Sequence, residues 1–418
     1  MTTATEAMAA ALADPDTFVA GPPWELFATL RAQEPVAWSP EPMPHHGFWS
    51  VTRHADIVAV SRDVEGFTST RGVSLEELDD NQLEHRTSMI DTDPPRHTAL
   101  RKILASQFVP RVINGYESFL RGVVARTLDS ALPLGTFDFV EKVSSEIPVR
   151  VLARMLSVPD ADHGKLTAWG DRLVGTSDPE FADALAGSEE SEQYRLLPFR
   201  SPAALEVFEY GRALQAERRT HPKDDLLTRL VEAEVDGEPL SQRDLDSYFL
   251  LLSLAGQETT RQAITLLMLT LIENPAALTR LQEQPELLAG PALDELLRWG
   301  PPVYHMRRTA THDAMIGETA VKAGDKIAMW YPSGNRDSDA IPHADELDLD
   351  RSNVDLLTFG KGGPHFCLGS FLAKMEYRVT AEELLARIDT AVLSGPVERL
   401  RSNFVNGVKR MPVTVTLR

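Results

Sequence analysis

The chain has 418 residues, 43% hydrophobic and 25% charged, the balance of a globular protein and not of a disordered one. Lys and Arg number 42 against 62 Asp and Glu, and the net charge of −20 repels phosphate backbones and anionic lipid, so neither nucleic acid nor a membrane is expected as a partner. The single cysteine, Cys367, excludes an internal disulfide and an all-cysteine iron–sulfur cluster, and fits a reducing compartment. Residues 1–22 are Ala-rich without the basic start and apolar core of a signal peptide. The most apolar stretch, 248–272, carries Glu258 and Arg261, which a membrane span rarely tolerates. The expected location is cytoplasmic.

In chain order, Pro22-Pro23 opens a short amphipathic segment to Arg31, and residues 47–52 (GFWSVT) predict a strand leading into a helix over 54–61. Residues 66–93, rich in Asp, Glu and Ser, predict a long irregular loop of the kind that is often functional. Pro94-Pro95 then starts a helix to about Phe108. Helical patterns follow over 112–131, 140–156, 160–174 and 203–219, with a polar mobile loop over 177–201. Ser241 and Asp244 resemble a capping box at the head of one long helix to about Glu273. A helix over 291–299 stops at Gly300-Pro301-Pro302, and β-like runs follow at 303–311 and 326–330. An irregular stretch over 333–363 precedes a last helix over 368–388. With no repeat and no low-complexity linker, the expectation is one domain over 1–418, mainly α with a small β portion.

Four constellations carry chemistry. Cys367 ends the string Phe359-Gly-Lys-Gly-Gly-Pro-His-Phe-Cys, followed by Leu368-Gly369. Its glycines allow the backbone close to a flat ligand, and the helix beginning just after Cys367 brings its positive end to a thiolate. Alone, such a cysteine reads equally as a buried structural residue. A phosphate-loop reading fails, because Lys361 is followed by Gly and the required upstream Gly is missing. Ala255-Gly-Gln-Glu-Thr-Thr260 sits in the middle of the long apolar helix. Gly and paired Thr are poor residues there, and an acid there must be solvated or paired. The Thr259 hydroxyl can return to the Ala255 carbonyl or serve a guest. Glu295 and Arg298 stand three apart on one helix, alone an ordinary exposed pair. His97 and Arg101 share a helix face and could meet one carboxylate together.

Together these strings resemble the cytochromes P450, with motifs in family order over nearly the whole chain. One departure is that the aromatic Phe359 lies eight residues before Cys367, where seven is usual. The resemblance implies the triangular, mainly α P450 fold, with haem b (iron protoporphyrin IX) between the long helix and the cysteine loop. Cys367 would be the axial ligand, a thiolate whose electron density promotes O–O cleavage. Thr259 would hydrogen-bond dioxygen and Glu258 would relay protons. His97, Arg101, Arg308 and His365 would hold the haem propionates. Glu295 and Arg298 would be a buried pair, its third member open between Arg351 and Arg336, with Glu346 standing where many relatives carry Arg.

The implied reaction is insertion of one oxygen atom from O2 into a hydrophobic substrate such as a terpenoid, steroid, fatty acid or polyketide. Electrons would come from a ferredoxin and its NAD(P)H-dependent reductase, docking on Lys102, Arg111, Lys361, Lys374 and Arg378. The pocket wall would comprise Met89, Ile90, Leu251, Leu254, Ala255, Val303, Tyr304, Met306, Phe404 and Val405. Tyr304 would offer its only neutral hydroxyl, and Arg195 and Arg200 could receive a substrate carboxylate. A peroxide-driven oxidase and a non-catalytic haem sensor or carrier are the alternatives.

Overall fold

The computed structural model describes residues 4–43 and 45–418. Its principal helices are Trp24–Gln33, His54–Arg62, Arg96–Ala105, Glu117–Ala131, Glu146–Leu156, His163–Val174, Ala203–Thr220, Gln242–Ala255, Glu258–Glu273, Pro291–Trp299 and Ser370–Arg387. The Glu258–Glu273 helix is the axis of the larger core. It is buried on every side from Thr260 to Leu271, as expected of a helix that is apolar all round. The Ser370–Arg387 helix packs along it, and so does the Val140–Ser144 turn, from which Ser144 shares a 2.6 Å hydrogen bond with Thr265.

A five-stranded sheet forms the smaller lobe, in the order Val36–Ser39, Phe48–Val51, Lys326–Trp330, His305–Ala310, Phe67–Thr68. Lys326–Trp330 pairs parallel with Phe48–Val51 and antiparallel with His305–Ala310. Trp330 anchors the core on one side of this sheet. Phe18 stacks on it at 5.7 Å, and its indole N–H donates to Ser50 Oγ at 3.0 Å. The N-terminal segment closes that core and reaches the C-terminal turn, where Asn403 Nδ2 donates to the carbonyls of Leu12 and Ala13, each at 3.2 Å.

Most predicted elements are present, including the Ser241 capping box, in which Ser241 Oγ accepts from the Asp244 N–H. Three differ. The predicted helix to Glu273 is two helices broken at Gly256-Gln257, where Gln257 (φ −119°, ψ −47°) leaves the helical path. A Cβ at Gly256 would lie 2.7 Å from the Leu252 carbonyl oxygen, so the break needs glycine. The loop over 66–93 contains a helix, Asp80–Arg86, started by a reciprocal Asp79–Gln82 capping box. The helix predicted over 112–131 begins as a separate turn, Pro110–Ile113, before Glu117–Ala131. Helices Leu226–Val231 and Pro275–Glu283 were not anticipated. No single helix among the described residues is long and apolar enough to cross a membrane.

Candidate active site

The cysteine loop is a closed turn. The Cys367 N–H donates to the Phe359 carbonyl at 2.9 Å, spanning the run that is one residue longer than the usual spacing. Gly360 (φ +69°) and Gly362 (φ +91°) take the left-handed conformations that absorb the extra residue. Gly363 presses on the next element, because a Cβ there would fall 1.9 Å from the Ser61 carbonyl oxygen. Burial pushes the Cys367 thiol up; the Gly369 backbone N–H and the Arg101 guanidinium pull the other way.

Around it gather groups with nitrogen donors and too few acceptors. The His97 and His365 rings lie 4.1 Å apart, and His97 Nδ1 is buried without a hydrogen-bond partner. Arg308 is buried, and its one hydrogen bond among the described residues goes to the Arg307 carbonyl at 2.8 Å. Burial, then Arg308, His97 and Arg101, hold His365 down to about 3. Burial, Arg101 and Arg308 likewise depress His97. Two guanidinium groups that depress two imidazoles form a hole for an anion.

Glu258 and Thr259 are adjacent but serve different surroundings. Thr259 Oγ1 donates to the Ala255 carbonyl at 3.0 Å, beside the helix break, and Ala255 is exposed. Glu258 is buried and receives Gln262 Nε2 at 2.8 Å and Arg261 at 2.9 Å. Arg261 also donates to Asp171 at 2.7 Å, and Asp171 is partly exposed, so a charged chain runs from Glu258 to the surface. Burial raises the Glu258 carboxyl, with Arg261 opposing. The sequence did not single out Asp171 or Gln262, and Arg261 entered only as a charge in an apolar run; its i,i+3 spacing from Glu258 was the available signal.

Glu295 and Arg298 have no exposed side-chain surface. Arg298 also reaches the carbonyls of Asn335, Ala344 and Glu346 at 2.7, 2.6 and 3.0 Å. The third member is Arg351, donating to Glu295 Oε2 at 3.1 Å. Arg336 instead lies 3.3 Å above the Trp299 ring, and burial and the Arg298 charge bring it down to about 9. Burial opposes ionisation of Glu295, but Arg298, the Asp348 N–H and Arg351 outweigh it and hold the carboxyl below its usual range.

Of the expected pocket residues, Met89, Ile90, Leu251, Leu254, Met306 and Phe404 are half-buried, while Val303 and Val405 are buried and bridge each other. Tyr304 does not belong with them. Its ring packs 4.6 Å from Phe18 in the Trp330 core, and its hydroxyl donates to Asn406 Oδ1 at 3.0 Å. Arg195 and Arg200 are already paired, Arg195 donating to Asp79 at 2.8 Å and Arg200 to Glu76 at 2.6 Å. In the expected basic patch, Lys361 is paired with Asp355, Lys374 with Asp294 and Arg378 with Glu117 and Glu382. Lys102 and Arg111 are exposed, as are Phe366 and Phe371.

Residues 204–412 match the cytochrome P450 family. A methyl-branched lipid omega-hydroxylase of Mycobacterium bovis is 36% identical over 396 residues, covering 93% of this chain and 90% of the relative. The chain belongs to the cytochrome P450 family. Linalool 8-monooxygenase of Pseudomonas putida is 35% identical, covering 97% of this P450 and 98% of the relative. The structure of a Mycobacterium marinum cytochrome P450 in complex with pseudoionone superposes with a TM-score of 0.85 at 38% identity, covering 93% and 94% of the two chains. This P450 is therefore a monooxygenase, an oxidoreductase that incorporates oxygen, and its family carries a haem-thiolate iron. The residues present fit that group: an orphaned buried imidazole nitrogen and an arginine without a carboxylate flank the one thiol in the chain.

Proposed function

We propose that this P450 holds haem b through Cys367 and oxidises a hydrophobic, branched hydrocarbon with electrons from a ferredoxin and its NAD(P)H-dependent reductase. The observation that carries the reading is the contact of the His97 and His365 rings at 4.1 Å, with His97 Nδ1 buried and unpartnered and His365 two residues before Cys367. The lone thiol and the anion hole are thereby one site. His97, Arg101, Arg308 and His365 would receive the two propionates, and the buried His97 Nδ1 would gain the partner it lacks. When bound, the haem supplies activation of O2 and insertion of one oxygen atom into the substrate.

The protein's part is positioning and proton control. The Gly369 N–H donates to the Cys367 sulfur and moderates its basicity. Thr259, at the break after Ala255, can release its hydroxyl from the Ala255 carbonyl toward the substrate side, at the loss of one 3.0 Å bond. Glu258 faces the other way, where Arg261 and Asp171 link it to solvent, and it would hand protons inward as its side chain turns. Leu251, Leu254, Val303, Met306 and Val405 offer apolar contact and no charge, so a charged group near the iron would be stranded. Relatives that act on a methyl-branched lipid, on linalool and on a steroid support a branched hydrocarbon. Lys102, Arg111, Phe366 and Phe371 would form the docking face for the electron donor: two exposed cations and two exposed aromatic rings near the cysteine loop. The whole chain would act as one catalytic unit in the cytoplasm.

The deciding test has two parts. The reduced carbon monoxide complex is expected to show the red-shifted Soret band of a thiolate-ligated haem, and Cys367→His to abolish it. Titration of the ferric enzyme with apolar terpenoids and with small charged molecules is expected to give spin-state shifts with the former. An unchanged band in the variant removes the ligand assignment, and shifts with charged molecules alone remove the substrate class. Turnover with peroxide equal to that with ferredoxin and reductase would favour the peroxide-driven alternative.

A further inference from the structure

A cleft of about 470 Å³ opens between the Glu117–Ala131 and Glu146–Leu156 helices and the turn that enters His163–Val174. It shares no residue with the Cys367 site. Its apolar lining includes Phe119 and Val123, and its charged lining is Arg126, Arg150, Arg154, His163 and Lys223 against one carboxylate, Asp160. In a chain of net charge −20, such a preponderance of cations in one concave site is a local reversal of sign.

The pairing within it is incomplete. Glu146 engages Arg150 at 2.7 Å, and Glu217 engages Lys223 at 2.9 Å. Arg126 and Arg154 have no carboxylate or hydrogen-bond partner among the described residues; Arg154 lies 6.0 Å from the centre of the Phe119 ring. His163 Nε2 is buried without a hydrogen bond, its nearest charge being Asp160 at 3.5 Å. The wall is completed by Ser157, a non-glycine residue in the left-handed conformation (φ 50°, ψ 46°) at the end of the Glu146–Leu156 helix. Non-glycine residues at positive φ are uncommon and cluster where the surroundings fix them.

We infer that this cleft binds a small organic phosphate. Its dianion would bridge the Arg126 and Arg154 guanidinium groups, whose planar donors match phosphate oxygens, and would accept from His163. Its apolar or aromatic portion would lie over Phe119 and Val123. A bare phosphate would use the cations but leave the apolar floor uncovered, so the organic ester is preferred.

The test uses the haem-loaded full-length enzyme and calorimetric titration with phenyl phosphate, inorganic phosphate and phenol. Saturable binding of phenyl phosphate is expected, at least tenfold tighter than inorganic phosphate, with none for phenol. Arg126→Ala and Arg154→Ala should each weaken it tenfold or more, while the Soret spectrum and basal turnover stay at wild-type levels; Arg154→Lys, keeping charge without the fork, should recover only part. Absence of saturable binding overturns the assignment. So does equal affinity for inorganic phosphate, or wild-type affinity in both alanine variants.

Discussion

Arg298 grips Glu295 through two N–H···O contacts, both of 2.7 Å, and neither side chain reaches solvent. Removing either partner strands the other in the interior, at about 3–5 kcal/mol, a large share of a domain's stability. Glu295→Ala and Arg298→Ala are expected to unfold at much lower temperature and to purify poor in haem. Arg351→Ala, which leaves the central pair intact, should lose less. Calorimetric melting and haem content check this ordering; a well-folded, haem-replete Arg298→Ala would show the pair to be dispensable.

Thr259 and the Glu258–Arg261–Asp171 chain should fail in different ways. Thr259→Ala is expected to keep substrate affinity while much of the NADPH consumed ends as hydrogen peroxide, with Thr259→Ser restoring product. Glu258→Gln should slow turnover about tenfold or more. Asp171→Asn should slow it less and raise the solvent isotope effect. NADPH, oxygen, peroxide and product are measured together, and wild-type coupling in Thr259→Ala would reduce that residue to a packing role.

These two sites also mark what was legible in the sequence. Cys367, Thr259, Glu258 and the Glu295–Arg298 pair sit in local strings, and their order along the chain, through the resemblance to the cytochromes P450, singled them out. Asp171 was not legible, because its partner Arg261 is 90 residues away and a lone acid on a helix reads as solvated charge. The break at Gly256-Gln257 was hidden by apolar residues continuing on both sides; what makes it is Gln257 Nε2 donating to the Leu166 carbonyl at 2.6 Å, a tertiary contact. Arg351 and Arg336 were indistinguishable as long cations in one irregular stretch until packing put Arg336 on Trp299. Tyr304 was misplaced because an aromatic residue next to a pocket strand carries no mark of which side it turns to.

Glu76 sits between Arg86 (2.9 and 2.6 Å) and Arg200 (2.6 Å), joining the loop before Arg96 to the loop before Ala203. Arg195 adds a bond to Asp79 across the same seam. Glu76→Gln, which keeps the shape and removes the charge, is expected to speed both substrate association and release several-fold, with little change in the reaction step. Stopped-flow binding at low and high salt reads it out, and the wild type should approach the variant as salt rises. Identical rates would mean the two loops do not part when substrate enters.

Glu376, in the Ser370–Arg387 helix, is buried with one carboxylate oxygen unpartnered, and burial pushes it up to about 8. Its folded-state affinity for protons exceeds that of the unfolded chain, so it contributes stability fully below the ordinary value of 4.5 and loses it as pH rises toward 8. The loss is on the order of a few kcal/mol at about 1.4 kcal/mol per pH unit. Glu376→Gln, neutral at every pH, is expected to flatten stability between pH 5 and 8 measured by urea unfolding. Parallel pH profiles for variant and wild type would contradict the burial argument.

Asp16 meets Arg401, and Leu12 and Ala13 meet Asn403, so the two ends of the polypeptide are stitched together behind Phe404. During synthesis these partners emerge 385 residues apart. At about 5–20 residues per second, Phe18 and Phe27 wait roughly 15–60 s for Trp330, which covers them. The Trp330 core is therefore among the last parts of the molecule to close on the ribosome, and its apolar leading segment stays uncovered in the interval.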